Sequence, residues 1–190
     1  MINRYIYIIF IFTSILCCKG VKILFNDDSV ISYTGSHPAH DWTGVSQGFR
    51  GGIICKNDLL QECVIKIAVP LKSFDSNNSG RDSNMLLATE SNKYPFVKFV
   101  SKRFNLLDSL DQKFDLSGIL EFHGVKNNII IDIEISRDQE SVLGLADFSL
   151  LLSDYKVSRP ELLFTPISDK INISCKLLCD NKLFFKEDEK

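Results

Sequence analysis

The sequence has no excess of basic residues, since 22 lysines and arginines face 24 aspartates and glutamates in 190 residues. The resulting net charge of -2 leaves no surplus positive charge to neutralise a phosphate backbone, which argues against nucleic acid as a partner. Beyond the amino-terminal segment, no apolar run approaches the roughly 20 residues that a membrane-spanning helix needs. The hydrophobic fraction of 45% is instead that of a globular domain with a sizeable core.

Residues that commonly carry catalysis are scarce. The chain has three histidines, His37, His40 and His123, and contains no nucleophile elbow, P-loop, zinc-protease or dinucleotide-binding motif. His37 and His40 lie three apart beside Asp41, but Pro38 favours an extended or turn conformation there and no second ligand pair follows. His123 lies at the end of a predicted strand, as a solvated or turn-bonding histidine would. We therefore predict a non-enzymatic protein without metal or cofactor.

The amino terminus has the layout of a signal peptide. An uncharged apolar run follows Arg4, and we predict that residues 1–19 are removed on export to the periplasm or cell envelope, or on secretion. Residues 20–190 then form a single domain. Cys17 and Cys18 leave open a lipoprotein signal, although neither follows a small residue; lipid attachment there would tether the domain to a membrane.

Four cysteines remain in the exported domain. Cys55 and Cys63 flank a plausible hairpin loop, so that they either form a disulfide across two antiparallel strands or remain as small buried thiols. Cys175 and Cys179 lie on one face of a predicted strand, about 13 Å apart at about 3.3 Å per residue, and cannot bond each other. None of these spacings is a zinc-binding pattern.

Alternation of apolar and polar residues predicts an antiparallel sheet. It is clearest over residues 113–123 and 129–135, which are joined by a glycine-containing turn and predict a hairpin. About eight strands are predicted in all, enough for a sandwich or a small barrel. The remaining six are predicted at 29–35, 46–55, 63–69, 96–104, 144–152 and 171–177.

Residues 76–95 break this period and predict a short helix near 81–93. Asp82 or Ser83 is its expected N-cap, and an apolar stripe that includes Met85 would close the end of a barrel. Arg81 and Asp82 stand where the helix starts, either to read a ligand head group at a cavity mouth or to form an ion pair.

Four segments in order resemble the YceI-like family of exported polyisoprenoid-binding proteins. They are SVISYTGSHPAHDWTGVSQGFRGGI, VPLKSFDSNNSGRDSNMLLATESNKYPFVKFVS, LSGILEFHGVKNNIIIDIEI and ADFSLLLSDYKVSRPELL. The most specific pieces are SFDSNN followed by RD, KYP before a strand, and the GILEFHGV hairpin. The resemblance implies an all-β, lipocalin-like extended antiparallel barrel that holds an isoprenoid or fatty-acid-like lipid in an apolar tunnel, without catalysis or metal.

The resemblance also implies that apolar side chains line the tunnel. By position we predict a lining of Phe49, Phe74, Met85, Leu86, Phe99, Phe114, Leu116, Phe122, Ile131, Ile133 and Phe148, with Trp42 and Arg81 at the cavity mouth. The alternative is a surface interaction or structural protein with a filled barrel, which binds through loops 36–44 and 75–93. A hollow interior favours the lipid carrier, and a filled one favours the scaffold.

Overall fold

The computed structural model describes residues 20–137, 140–162 and 164–180. The predicted signal peptide, with Cys17 and Cys18, lies outside these residues, so export and lipid attachment stay predictions. None of the helices in the described ranges is long and apolar enough to cross a membrane.

Strands dominate the described chain, with one α-helix and three short 3-10 helices. The strands are β1 (Val21–Leu24), β2 (Val30–His37), β3 (His40–Ser46), β4 (Arg50–Cys55), β5 (Val64–Pro70), β6 (Phe96–Ser101), β7 (Gln112–Phe122), β8 (Val125–Arg137), β9 (Ser141–Leu151), β10 (Glu161–Leu162), β11 (Thr165–Pro166) and β12 (Lys170–Asp180). The helix α1 spans Ser79–Ala88, and the 3-10 turns span Leu71–Ser73, Leu107–Ser109 and Ser153–Tyr155.

Ten strands form one antiparallel sheet in the order β1-β4-β5-β6-β7-β8-β9-β12-β2-β3, which curls into a half-barrel of the lipocalin type. The prediction of an all-β, lipocalin-like fold is confirmed. Each of the eight predicted strands corresponds to a strand of this sheet. The two additional members are β1 and β3, of which β3 lies in residues interpreted as the loop 36–44.

Backbone hydrogen bonds join the curled sheet to segments outside its ladder. Edge strand β3 meets the chain after β5, where the amide and carbonyl of Val45 exchange hydrogen bonds of 2.8 and 2.9 Å with those of Asp75. Asn26, between β1 and β2, donates its amide to the Leu178 carbonyl of β12 at 2.8 Å. These links cover part of the exposed sheet edges and hold the curl in place.

The β7–β8 hairpin turns on two residues, His123 and Gly124, whose φ angles are 50° and 75°. Positive φ at both positions is the geometry of a type I′ turn, which matches the twist of the flanking strands. His123 is a turn-bonding histidine, because its Nδ1 lies 2.9 Å from the Tyr155 carbonyl oxygen. The Tyr94 ring also contacts its imidazole edge-on, at a centroid distance of 4.9 Å.

One end of the barrel is filled by side chains. Ile23, Leu106 and Cys179 are 0–2% exposed there, and a Cys55–Cys63 disulfide joins the end of β4 to the residue before β5. Of the two interpretations of these cysteines, the structure has the disulfide. We call this the filled end of the barrel.

The helix α1 lies across the opposite end. It begins after Asn78, whose side-chain oxygen accepts a hydrogen bond of 2.9 Å from the Arg81 amide. The prediction of Asp82 or Ser83 as the N-cap is therefore wrong. Asp82 is inside the helix and accepts hydrogen bonds from Ser76, so its carboxylate anchors the preceding loop instead of capping the first turn.

Candidate ligand cavity

The half of the barrel beneath α1 is hollow. It contains a cavity of about 570 Å³, within the roughly 300–1,000 Å³ typical of small-molecule sites. Inward-facing side chains of β2, β5, β6, β7, β8, β9 and β12 form its wall, and most of them are aliphatic or aromatic. The interior is therefore not filled as the scaffold alternative required.

A row of small and aliphatic side chains runs across the middle of the wall. Ile133 of β8 pairs with Ala146 of β9, Ala146 with Cys175 of β12, and Cys175 with Ile31 of β2. No aromatic ring projects from these four positions toward the opposite strands. At these positions no ring fills the hollow, although aromatic side chains such as Phe99 and Phe148 line it elsewhere.

Eight of the eleven predicted lining residues lie on the cavity wall. They are Phe74, Met85, Phe99, Leu116, Phe122, Ile131, Ile133 and Phe148. Whether they contact a ligand stays a prediction. Sequence reasoning missed Leu120 and Ile173, which lie on the same wall and carry the same alternating signal as their neighbours.

Three predicted lining residues lie elsewhere. Phe114 faces inward but belongs to the filled end, where its ring lies 5.9 Å from that of Phe104. Phe49 packs against a small cluster that includes Val69 and Leu177, and Leu86 packs against the main core from α1. Alternation indicates which face of a strand is apolar, but it does not indicate how far along the barrel the hollow extends.

Trp42 and Arg81, the predicted mouth residues, both border the cavity and contact each other. The indole lies across Gly35 of the paired strand β2, where an added Cβ would come within 2.5 Å of the ring. The Arg81 guanidinium carbon lies 6.0 Å from the indole centroid, in cation–π range. The same guanidinium donates to the Ser76 hydroxyl at 2.9 Å and to the Ser76 carbonyl at 2.6 Å.

Arg81 and Asp82 thus converge on the buried Ser76, and not on each other as an ion pair at the helix start. Asp82 accepts from the Ser76 amide and hydroxyl, while Arg81 donates to the Ser76 oxygens. Ser76 is 4% exposed. The network fixes the start of α1 over the mouth and holds one positive charge beside the indole of Trp42.

Two buried polar atoms on the cavity wall have no hydrogen-bond partner within the described part of the chain, the Tyr33 hydroxyl and His37 Nε2. His37 Nδ1 accepts from the Ala39 amide at 3.1 Å, which leaves the proton of a neutral imidazole on Nε2. Burial raises the pKa of the Tyr33 hydroxyl, and the Asp82 charge acts in the same direction. The Trp42 indole, which approaches without reaching hydrogen-bonding geometry, lowers it, as does Arg81.

The two neighbouring histidines pair across the β2–β3 hairpin, and both border the cavity. His37 is buried, whereas His40 is exposed and its ring lies 5.8 Å from that of Trp42. Among the residues described, no three His, Cys, Asp or Glu side chains are close enough to hold a metal ion.

Cys175 and Cys179 are free thiols on the inner face of β12. Cys175 lies on the cavity wall, and Cys179 is buried at the filled end. Burial raises the pKa of each thiol to about 12, with the Asp147 charge adding to the effect at Cys175. Because the thiolate is the nucleophile and the metal ligand, both thiols are poorly reactive near neutral pH.

A family model described as a YceI-like domain matches residues 24–178. No curated protein is similar enough to this chain to be matched. Among solved structures, BcnA of Burkholderia cenocepacia superposes with a TM-score of 0.69 at 14% identity, over 81% of this chain and 98% of that one.

A polyisoprenoid-binding domain from Saccharophagus degradans, implicated in plant cell wall breakdown, gives a TM-score of 0.69 at 15% identity, over 85% of this chain and 99% of that one. The YceI protein of Campylobacter jejuni gives 0.56 at 20% identity, over 73% and 84% of the two chains. At these identities the solved structures show a shared fold.

Proposed function

Because this chain belongs to the YceI-like domain family, we propose that it binds and carries a long-chain isoprenoid or other amphiphilic lipid, without catalysis. The observation that carries the proposal is the apolar cavity of about 570 Å³ in a barrel that is otherwise well packed. The polyisoprenoid-binding domain of Saccharophagus degradans, which has the same fold, supports the class of ligand.

Hydrocarbon burial supplies the affinity in this account. Each methylene moved from water into the cavity contributes about 0.8 kcal/mol, so ten of them contribute about 8 kcal/mol before the cost of immobilising the chain. No strong polar contact is needed along the wall. The ligand is therefore selected mainly by the length and cross-section of its chain.

The polar atoms at the mouth orient the ligand. Tyr33, His37 and Arg81 border the same end of an otherwise apolar cavity. The hydrocarbon chain then points toward the filled end, and the head group lies near the mouth, where Tyr33 and His37 Nε2 need an oxygen partner.

We also infer that the protein is exported to the periplasm or cell envelope, either free or tethered through Cys17 or Cys18. The Cys55–Cys63 disulfide supports an oxidising compartment. The apolar segment after Arg4 supports export by a signal peptide.

A cavity-filling substitution tests the proposal. Ala146→Phe places a ring on the cavity wall between Ile133 and Cys175, and we expect at least a tenfold loss in equilibrium uptake of a tritiated polyprenol from detergent. The control is Ala68→Phe on the outer face of β5, where the paired residues are Arg50 and Lys98. Circular dichroism checks that both variants fold. Equal uptake by Ala146→Phe, Ala68→Phe and the parent protein would contradict binding in this cavity.

A further inference from the structure

We propose that the cavity mouth docks onto a lipid bilayer through two exposed side chains, Phe164 and Leu87, so that ligand passes directly between bilayer and cavity. The role of this docking in ligand transfer rests on the proposed function, but the contact between the protein and the bilayer can be measured without any ligand.

Phe164 and Leu87 are the most exposed large hydrophobic residues in the described ranges. Phe164 is 100% exposed and Leu87 75%, ahead of Ile130 at 67% and Leu59 at 65%. The two leading residues both belong to elements that border the cavity mouth. Ile130 lies on the outer face of β8, and Leu59 lies in the disulfide loop at the filled end.

Leu87 points away from the cavity on the helix that covers it. Met85 and Ala88 of α1 line the cavity, and successive helical residues are about 100° apart, so Leu87 lies on a different face. The residues one turn and two turns before it, Ser83 and Ser79 or Gly80, are small and exposed. Leu87 is thus a single apolar tip on the outer side of the helix.

Phe164 has the same character in a second segment that borders the cavity. It lies in the turn between β10 and β11, and the flanking residues Glu161 and Ile167 border the cavity. Its φ is 64°, a left-handed conformation that is unfavourable for a bulky residue and is usually taken by glycine or asparagine in such turns. Since Phe164 is fully exposed, no packing within the described chain compensates for its presence there.

The chemistry of the ligand identifies the partner as a bilayer. The burial that favours the bound state also opposes release of a long apolar chain into water, so a carrier has to take its ligand up from an apolar phase. Two isolated side chains on separate elements suit insertion into a fluid interface better than the continuous, shaped surface of a protein interface. Charges on the adjoining segment are mixed, with Lys156 and Arg159 near Asp154 and Glu161, which suits a zwitterionic surface.

The only tryptophan of the chain reports on this contact, because Trp42 lies at the mouth. The probe is a phosphatidylcholine vesicle that contains bromine-substituted acyl chains, which quench indole fluorescence at short range. We expect vesicles in excess to quench the parent protein and to leave Phe164→Ser/Leu87→Ser unquenched. The control, Ile130→Ser/Leu59→Ser, removes the next most exposed large apolar side chains, which lie away from the mouth, and should be quenched like the parent.

Unquenched parent protein at vesicle excess would overturn the proposal. So would quenching that persists in Phe164→Ser/Leu87→Ser, since a lipid chain would then reach Trp42 without the two side chains. A second readout is the rate of polyprenol transfer from vesicles, which we expect to rise with vesicle concentration and to fall at least tenfold in the same variant. Loading from detergent tests cavity binding separately from docking, and we expect all variants to load equally. If the parent protein does not load from detergent, the proposed function is contradicted. Quenching of Trp42 by the vesicles still decides whether the protein docks.

Discussion

Small and aliphatic side chains stand at four neighbouring positions on the cavity wall. Ile133, Ala146, Cys175 and Ile31 follow one another across four strands, and the cavity lies over them. At the filled end, Phe114 and Phe104 occupy the corresponding volume. A barrel with the same apolar periodicity is therefore either a container or a solid scaffold, according to which residues stand on the inner face.

The two buried thiols make stability depend on pH in the alkaline range. The pKa of Cys175 and of Cys179 is about 12 in the folded protein and 9.0 as a reference value, so the folded state holds the thiol protons more tightly. Their contribution to the free energy of unfolding is complete below pH 9 and is lost as pH rises towards 12. Each thiol lowers it by up to about 1.4 kcal/mol per pH unit in that window.

Urea unfolding at pH 8 and pH 10.5 measures this dependence. The variant Cys175→Ala/Cys179→Ala lacks both titrating groups and should lose less stability than the parent protein between the two pH values. Identical losses in the two proteins would show that the thiols are not preferentially protonated in the folded state.

The sequence predicts which residues face the interior of the barrel, but it does not predict how far along the barrel the cavity extends. Phe99, Leu116 and Ile133 were placed on the wall by alternation and by the resemblance, and the structure has them there. Phe114 has the same alternating signal, yet it packs at the filled end. Depth depends on which side chains of distant strands meet across the interior, and local periodicity carries no information about that.

No residue of α1 is fully buried, and the helix is held by polar contacts of its first turn together with partial burial of Met85 and Leu86. Asn78 caps it, and Arg81 and Asp82 bind Ser76 beneath it. An element without fully buried residues opens locally more easily than a strand of the sheet. Under the proposed function, such opening would admit a long ligand.

We expect Asn78→Ala to destabilise α1 by about 1 kcal/mol, because the Arg81 amide loses its acceptor. Amide hydrogen exchange should then be roughly fivefold faster over residues 79–88 than in the parent protein and unchanged in β7. The matched control is Ser83→Ala, which removes a mid-helix hydroxyl bonded to the Ser79 carbonyl and should not accelerate exchange. Equal exchange in Asn78→Ala and Ser83→Ala would contradict the role of the cap.

Strands with a long alternating pattern of apolar and polar residues could be predicted from the sequence. A strand without that pattern, whose residues are held only by pairing with a neighbouring strand, could not. β7 and β8 each run over at least eleven residues with one apolar face, and both were predicted. β3 was interpreted as a loop, because its strand character comes from pairing His37 with His40 and Gly35 with Trp42. Only the bulky indole opposite a glycine could have indicated that register.

The two ends of the barrel differ in how their interiors are packed. The filled end packs Ile23, Leu106 and the disulfide, while the other end is hollow beneath α1. Wall residues such as Leu120 and Ile133 also belong to the buried core, but they border the cavity, whereas residues of the filled end do not. Substitutions at the two ends should have different consequences.

Substitutions of two leucines test this difference between the filled and the hollow end. Leu106→Ala at the filled end, where the side chain is 0% exposed, should lower the free energy of unfolding by about 2–5 kcal/mol. Leu120→Ala on the cavity wall should cost less, because that side chain already lacks packing partners on one side, but it should weaken ligand binding. Urea titration and polyprenol uptake measure the two effects, and a larger loss of stability in Leu120→Ala would argue against a hollow half.

Native mass spectrometry of the protein purified from its own host, followed by organic extraction, tests directly whether the protein carries a lipid. We expect a complex with one long-chain amphiphilic lipid per chain, which extraction releases for identification. A folded protein that has only the mass of the polypeptide and takes up no added isoprenoid would contradict it.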